Sequence, residues 1–245
     1  MKENFLCKIN KKTIKLIIRF VLLVICVFAF ISPVIFDGVS FLTRVVMFTG
    51  LSNSLLVFQY LLLIIFTFLK FDLRSKRIYI FRFIVTSCIT LTFIVFGFVL
   101  TPASIATGEF DPFKVSSLFQ HFIAPPLAIA EFLLLDPVKE KIKRIHSFHS
   151  LDVSLVYLVA IEIRGAVSNA PHIKAGGVDS RYPYFLLDPY FMGFWFEGGT
   201  LNIHLGIIPI LVILIGLDLL LGFCLLEVKN KISSKFIWGN TANKN

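Results

Sequence analysis

Two ionisable residues lie inside an apolar stretch that is long enough to cross a bilayer. The stretch is residues 115–136, VSSLFQHFIAPPLAIAEFLLLD, and it contains His121 and Glu131. In hydrocarbon a polar side chain is costly unless it faces the protein interior, so both residues indicate a functional site. Histidine there can accept a proton, and a histidine and a carboxylate together can relay one.

A proline pair in the same stretch removes two helical hydrogen bonds. Pro125 and Pro126 have no N–H to donate to the carbonyls of His121 and Phe122. We therefore expect the helix to kink next to His121. Backbone freed at membrane depth is tolerated only where it is buried in protein or lines a wet cavity, so the stretch is predicted to form the wall of a site.

The elements that position these residues are predicted to be transmembrane helices. The chain is 57% hydrophobic and only 16% charged, against about 25% charged in soluble domains. It is thus predicted to be a single all-α, multi-pass membrane domain over residues 1–245. Its six spans are predicted at about 14–36, 46–69, 78–101, 116–136, 150–168 and 201–227, with an outer loop at 169–200. The first run lacks a signal-peptide cleavage site and is interpreted as an anchor.

The positive charges support six spans with both termini in the cytoplasm. With that topology, all but five of the 24 lysines and arginines lie on the inner side, as positive residues of short loops do. Span five is the weakest, but without it the lysines of the C-terminal tail would lie outside. The basic residues flank hydrophobic runs, which argues for a lipid bilayer as the partner and against nucleic acid, despite the net charge of +9. We take the bilayer to be a bacterial plasma membrane.

Helix depth separates the polar residues into two layers. An outer layer is predicted to collect Thr49, Ser52, Asn53, His121, Glu162, Arg164 and His204, with Tyr182, Tyr184 and Asp188 of the outer loop above it. Glu131, Asp152 and Asp218 are predicted to lie toward the inner leaflet. They would form either a buried polar cluster or a proton path.

From residue 46 onward the chain resembles a bacterial family of six-helix membrane proteins. The resemblance rests on Phe48-Thr49 with Ser52-Asn53, on His121 with Pro125 and Glu131, on Ile163-Arg164-Gly165, and on Tyr182-Pro183-Tyr184 with Leu187-Asp188. The layout of that family implies six helices. Glu131 stands where the family pattern has Asp followed by Trp.

More distantly, the chain is similar to the androgen-induced and androgen-dependent membrane proteins, atypical threonine hydrolases of fatty acid esters. That resemblance implies Thr49 as nucleophile and His121 as general base, acting on a lipid-like ester or amide. Asn53, Arg164 and Tyr184 become candidate donors to the oxyanion. One extra residue separates Thr49 from Asn53 relative to that pattern, which turns Asn53 by about 100° on a helix.

Other interpretations of these residues stay open. Thr49 is equally consistent with a helix cap, and His121 with an interhelical hydrogen bond. The alternative function is non-catalytic, a small transporter or a lipid-binding protein with an intramembrane polar site. No cofactor and no metal are predicted, because the four cysteines form no C-x-x-C pair and His146 and His149 lack a third ligand.

Overall fold

The computed structural model describes residues 11–108, 111–170, 181–184, 187, 195–197, 200–202 and 207–238. The α-helices are α1 Lys11–Phe36, α2 Phe41–Val46, α3 Phe48–Phe68, α4 Lys76–Val95, α5 Thr101–Thr107, α6 Val115–Ser117, α7 Ala124–Leu134, α8 Leu151–Val167 and α9 Ile207–Trp238. Two π-helical segments, Phe96–Leu100 and Leu118–Ile123, and a 3-10 helix, Arg144–Ser150, connect some of them. Strands β1 Trp195–Glu197 and β2 Thr200–Asn202 pair antiparallel.

The described part of the chain is predominantly helical, and five of its helical stretches are long and apolar enough to cross a membrane. They are Lys12–Phe36, Phe48–Phe68, Lys76–Ala106, Val115–Leu134 and Ile210–Lys235. The predicted fifth span coincides with α8, which has 17 residues. At 1.5 Å per residue α8 is about 26 Å long, shorter than a hydrocarbon core of about 30 Å.

Each π-helical segment directly precedes a proline-containing turn. Ala124 N–H bonds to Phe119 O and Thr101 N–H bonds to Phe96 O, five residues back in both cases. Pro125 and Pro102 follow, and neither has an N–H to continue the α-helical pattern. The predicted irregularity beside His121 is thus present as a π-helical segment, a feature often found at functional sites.

Helix α4 lies at the centre of the bundle and packs against α3, α7 and α9. On one side, the core joins Leu22 and Cys26 of α1 to Leu56 and Tyr60 of α3 and to Ile89 of α4. On another side, Tyr79 and Phe83 of α4 pack with Phe132 of α7 and with α9. These contacts bring α1, α4, α7 and α9 together around buried charges.

A sharp break between α2 and α3 fixes the start of α3. Ser40 caps α2 by accepting a hydrogen bond from Thr43 N at 3.2 Å, and Met47 is extended between the two helices. Gly50 of α3 then lies against the backbone carbonyl of Arg44, where a Cβ atom would overlap the oxygen. The close approach of α2 therefore positions Thr49, the neighbour of Gly50.

Candidate functional site

An apolar cavity bordered by hydroxyl-bearing residues lies between α3, α4, α8 and α9. We call it the hydroxyl cavity. Its volume is about 100 Å³ and its exposed lining is almost all apolar. The lining residues are Phe48, Thr49, Leu91, Thr92, Val95, Phe96, Leu100, Ser154, Tyr157, Leu158, Tyr184, Leu187, Leu214 and Ile215. A short alkyl segment suits such a space better than a charged or strongly hydrated group.

Thr49 and Tyr184 are neighbours in the lining of the hydroxyl cavity. The Tyr184 hydroxyl lies 3.5 Å from Thr49 Oγ1 and accepts a hydrogen bond from Thr49 N at 3.4 Å. The first-turn N–H groups of a helix have no partner within the helix, so the phenol oxygen supplies one. Desolvation raises the pKa of Tyr184, while its contacts with Thr49 and the charge of Arg44 oppose that rise. Tyr184 is therefore a neutral donor or acceptor next to the Thr49 hydroxyl.

Hydrogen bonds extend from Thr49 along α3. Asn53 Nδ2 donates to Thr49 O at 2.9 Å and approaches Gln120 O at 3.5 Å. Ser52 Oγ donates to Thr49 O at 3.1 Å and lies 2.9 Å from Thr92 Oγ1. Asn53 is fully buried, and its amide contacts the Thr49 backbone rather than the hydroxyl. The predicted group of Thr49, Ser52 and Asn53 is thus in contact, with Asn53 in a positioning role.

His121 lies behind the cavity rather than in its wall. Its ring stacks on Phe96, with centroids 3.4 Å apart and planes at 3°. Phe96 lines the cavity, and among the described residues no hydrogen bond joins His121 to Thr49 or reaches His121 Nδ1. The structure therefore does not bring the implied nucleophile and base into direct contact. Hydrogen bonds of catalytic groups are often long before a substrate binds.

Ser154 and Asp218 form a second polar pair at the cavity. Ser154 lines the cavity and its hydroxyl donates to Asp218 Oδ2. Asp218 is almost completely buried, and its Oδ1 has no hydrogen-bond partner in the described part of the chain. Tyr157, also in the lining, donates to Val46 O at 3.1 Å. Asp218 was expected toward the inner leaflet with Glu131, whereas it contacts the hydroxyl cavity through Ser154.

Arg44 is the polar residue near this site that sequence analysis counted only as a loop charge. It is 3% exposed, and its Nε and Nη2 have no hydrogen-bond partner among the residues described. Its guanidinium lies 6.0 Å from the Phe30 ring centroid. Burial lowers the pKa of Arg44 to about 10, although the negative charge of Asp37 opposes that shift. Such a side chain can donate to an anionic group that arrives with a ligand.

Residues 181–184 lie against the C-terminal end of α8. Arg164 Nη1 donates to Arg181 O at 2.5 Å, and Arg181 Nε donates to Ala170 O at 2.6 Å. Gly165 lies directly against the ring of Tyr182, so a side chain there would overlap it. Arg164 and Tyr182 therefore hold Tyr184 over Thr49. Glu162 is half-buried on α8. Asp188 and His204, also predicted for this layer, lie outside the described residues.

Glu131 belongs to a separate group of buried charges that we call the ionic cluster, Arg19, Arg82, Glu131 and Asp136. Arg82 Nη2 lies 2.7 Å from Glu131 Oε2, and Arg19 Nε lies 3.2 Å from Glu131 Oε1. Arg19 also pairs with Asp136, and Arg82 Nη1 lies 3.4 Å from the same carboxylate. All four side chains are nearly inaccessible. Each carboxylate is shared by two guanidinium groups, which is what a buried charge requires.

The predicted inner group of Glu131, Asp152 and Asp218 is not one cluster. Glu131 pairs with arginines, Asp218 pairs with Ser154, and Asp152 is an exposed partner of His149 at 3.0 Å. The prediction was wrong because it considered depth alone and not the partners that face each carboxylate. Within the described residues, these carboxylates and His121 do not share a hydrogen-bonded path.

The described residues contain no group of three or more His, Cys, Asp and Glu side chains that could hold a metal ion. Compared with known proteins, the chain matches no family model, no curated protein and no solved structure. The hydroxyl cavity itself is therefore the basis for a proposed function.

Proposed function

We propose that the protein binds a lipid-like molecule and places part of its alkyl chain in the hydroxyl cavity. The observation that carries the proposal is an apolar cavity within the helical bundle whose polar lining groups are uncharged hydroxyls. Apolar surface favours the alkyl chain, while a few hydroxyls fix the position of an ester, amide or hydroxyl group. Arg44 does not line the cavity and is buried, so an anionic end of the same molecule would reach its unpartnered nitrogens only if the packing around them opened.

The topology that we propose with this function has six spans and both termini in the cytoplasm of a bacterial plasma membrane. Helix α8 is the additional span, and its neighbours compensate for its shortness and for Glu162. The support is the distribution of lysines and arginines, which an odd number of spans would place on both sides.

Binding can be tested by filling the cavity. We would measure the fluorescence of cis-parinaric acid added to the detergent-purified full chain. Leu214→Trp adds volume to the cavity lining, whereas Val212→Trp adds the same side chain at an exposed position of the same helix. We expect Leu214→Trp to weaken binding at least tenfold and Val212→Trp to leave it unchanged. Equal binding by both variants would contradict the proposal.

A second candidate function is hydrolysis of a lipid-like ester or amide at Thr49. The observation that favours it is the Thr49 hydroxyl in the cavity lining, with a phenol oxygen 3.5 Å away. In this hypothesis Thr49 Oγ1 attacks the carbonyl carbon, a base accepts its proton, and the leaving group takes that proton when the bond breaks. Water then cleaves the resulting threonine ester.

His121 requires a change of geometry to act as the base in this hypothesis. Its ring would have to leave the Phe96 stack and approach Thr49, a movement that substrate binding would have to drive. Tyr184 would then be free to donate to the oxyanion rather than to contact Thr49.

Labelling with a fluorophosphonate probe tests hydrolysis separately from binding. We would compare the wild type with Thr49→Ala, His121→Ala and the control Ser54→Ala, whose hydroxyl bonds to Leu51 O within α3. A hydrolase should lose labelling in the first two variants and keep it in the control. Absence of labelling in a wild type that still binds parinaric acid would reject hydrolysis and leave lipid binding in place.

A further inference from the structure

A second cavity, about 380 Å³ in volume, lies next to the ionic cluster and is lined mainly by cations. We call it the basic cavity. Its lining residues are Lys12, Lys15, Arg19, Thr67, Lys70, Phe71, Leu73 and Asp136. It lies where α1 begins and α3 ends, and these positions also limit two of the membrane-spanning stretches. The cavity is therefore at the depth of lipid headgroups rather than in hydrocarbon.

The single carboxylate of the basic cavity is already neutralised. Lys15 Nζ lies 2.7 Å from Asp136 Oδ1, and Arg19 and Arg82 both contact Asp136 Oδ2. Arg19 uses Nε and Nη2 for its two carboxylates and is nearly inaccessible, so it contributes positive charge rather than a free donor. Lys15 keeps two further N–H groups, and Lys70 has no hydrogen bond from its side chain within the described chain. The cavity thus presents unused donors and excess positive charge.

Two residues of the basic cavity adopt a backbone conformation that favours glycine. Lys70 has φ 60° and Asp136 has φ 48°, and these are the two non-glycine residues with positive φ in the described part of the protein. Lys70 follows α3, at a place where helices commonly end with glycine. Asp136 follows α7 in the same way, so both φ values are those of an ordinary helix end. Both residues line the basic cavity, which places the ends of α3 and α7 at its wall.

We propose that the basic cavity binds the phosphate group of an anionic phospholipid. Guanidinium and ammonium groups are the usual donors to phosphate oxygens, and basic pockets between transmembrane helices bind anionic headgroups. A lipid fits better than free phosphate because exposed apolar residues flank the cavity on both helices. These residues are Ile14, Ile17, Phe68 and Leu69.

The test compares phospholipids that differ in charge. Dioleoylphosphatidylglycerol or dioleoylphosphatidylcholine would be added to the detergent-purified full chain, and bound lipid would be counted by native mass spectrometry. Lys70→Gln removes one cation of the cavity, and Lys143→Gln removes one exposed cation outside it. We expect the wild type to retain phosphatidylglycerol preferentially. Lys70→Gln should reduce its affinity about fivefold, and Lys143→Gln should not.

Three results would overturn this proposal. The first is equal retention of the two lipids. The second is an equal loss in both lysine variants, because that would indicate general attraction to positive charge. The third is displacement of phosphatidylglycerol by inorganic phosphate at about 10 mM. A site specific for the lipid should resist free phosphate, because the lipid makes additional contacts. Retention that resists phosphate and depends on Lys70 would support the lipid site.

Discussion

The hydroxyl cavity and the ionic cluster solve the burial of polar groups in opposite ways. In the ionic cluster, charged groups are buried but paired, with Glu131 held by Arg19 and Arg82. Around the hydroxyl cavity the groups are mostly uncharged, and several lack partners in the described chain, including Arg44 Nε and Nη2, His121 Nδ1 and Asp218 Oδ1. Unsatisfied buried groups cost stability, but they also occur at and beside the ionic cluster, as Arg82 Nε and the Tyr79 hydroxyl show, so the evidence for a ligand is the cavity itself.

Lys229 shows how completely charges near the ionic cluster are satisfied. It is 1% exposed, and its ammonium donates to Phe132 O and Leu135 O, both at 2.6 Å, at the end of α7. The last carbonyls of a helix have no helical donor and carry partial negative charge, so the lysine compensates both. This region therefore joins α1, α4, α7 and α9 and has the character of a structural support.

Removing one charge from the ionic cluster should have the largest effect on stability. Glu131→Gln keeps the shape of the side chain but leaves Arg19 and Arg82 with Asp136 as their one shared carboxylate. We expect the free energy of unfolding in detergent to fall by about 3–5 kcal/mol. Glu140→Gln is the control, since Glu140 is an exposed glutamate. If both variants unfold alike, the cluster is not the support that its geometry indicates.

Gly50→Ala should distort the hydroxyl cavity by displacing the backbone of α2 from α3. A Cβ atom at Gly50 would overlap the carbonyl oxygen of Arg44, so α2 must move away from α3. We expect a loss of about 1–3 kcal/mol in stability together with loss of parinaric acid binding, because Thr49 and Arg44 shift together. Gly216→Ala is the matched control, since no atom lies within 4 Å of the added carbon. Unchanged binding in Gly50→Ala would separate Thr49 from the ligand.

Two tyrosine hydroxyls provide a smaller test of the same comparison. Tyr184→Phe removes the hydroxyl near Thr49 and should cost about 0.5–1.5 kcal/mol, toward the lower end because its contacts are long. Tyr79→Phe removes a buried hydroxyl without a partner in the described residues, beside the ionic cluster. That change should be neutral or stabilising. Thermal unfolding measures both, and the opposite order would show that Tyr184 does not support the cavity.

The sequence was sufficient for the membrane class and for the irregular backbone beside His121. Hydropathy identified the five long spans of the described residues, but the last was placed too early, at 201–227, because Thr200–Asn202 form a strand and the apolar stretch is Ile210–Lys235. The proline pair predicted a disturbance where the π-helical segment lies. Both signals are local, since they depend on one helix and its own hydrogen bonds. Helix depth placed Tyr184 above the outer layer that holds Thr49, but the contact itself, between residues 135 positions apart, could not be predicted from local signals.

The partners of Glu131 could not be predicted in the same way. Arg19 and Arg82 are 112 and 49 residues away, and both looked like ordinary positive residues flanking a span. Arg44 was misjudged for the same reason, because composition cannot distinguish a loop arginine from a buried one. Helix packing decides which charges meet, and depth along a helix gives only one coordinate of that arrangement.

The exposed pair of Lys139 and Asp72 tests whether burial, rather than pairing itself, makes the ionic cluster strong. The side chains are about half exposed and in contact.

The hydrogen bond from Lys139 lowers the pKa of Asp72 below its ordinary 3.8. A carboxylate whose pKa is lowered by folding stabilises the protein at pH values above its ordinary pKa. That stabilisation is lost as the pH falls through the lowered pKa. Because water screens the pair, Lys139→Gln should cost less than about 0.5 kcal/mol at pH 7 and less still at pH 2. Unfolding measured at both pH values, with Lys141→Gln as an exposed control, would contradict the comparison if Lys139→Gln cost as much as Glu131→Gln.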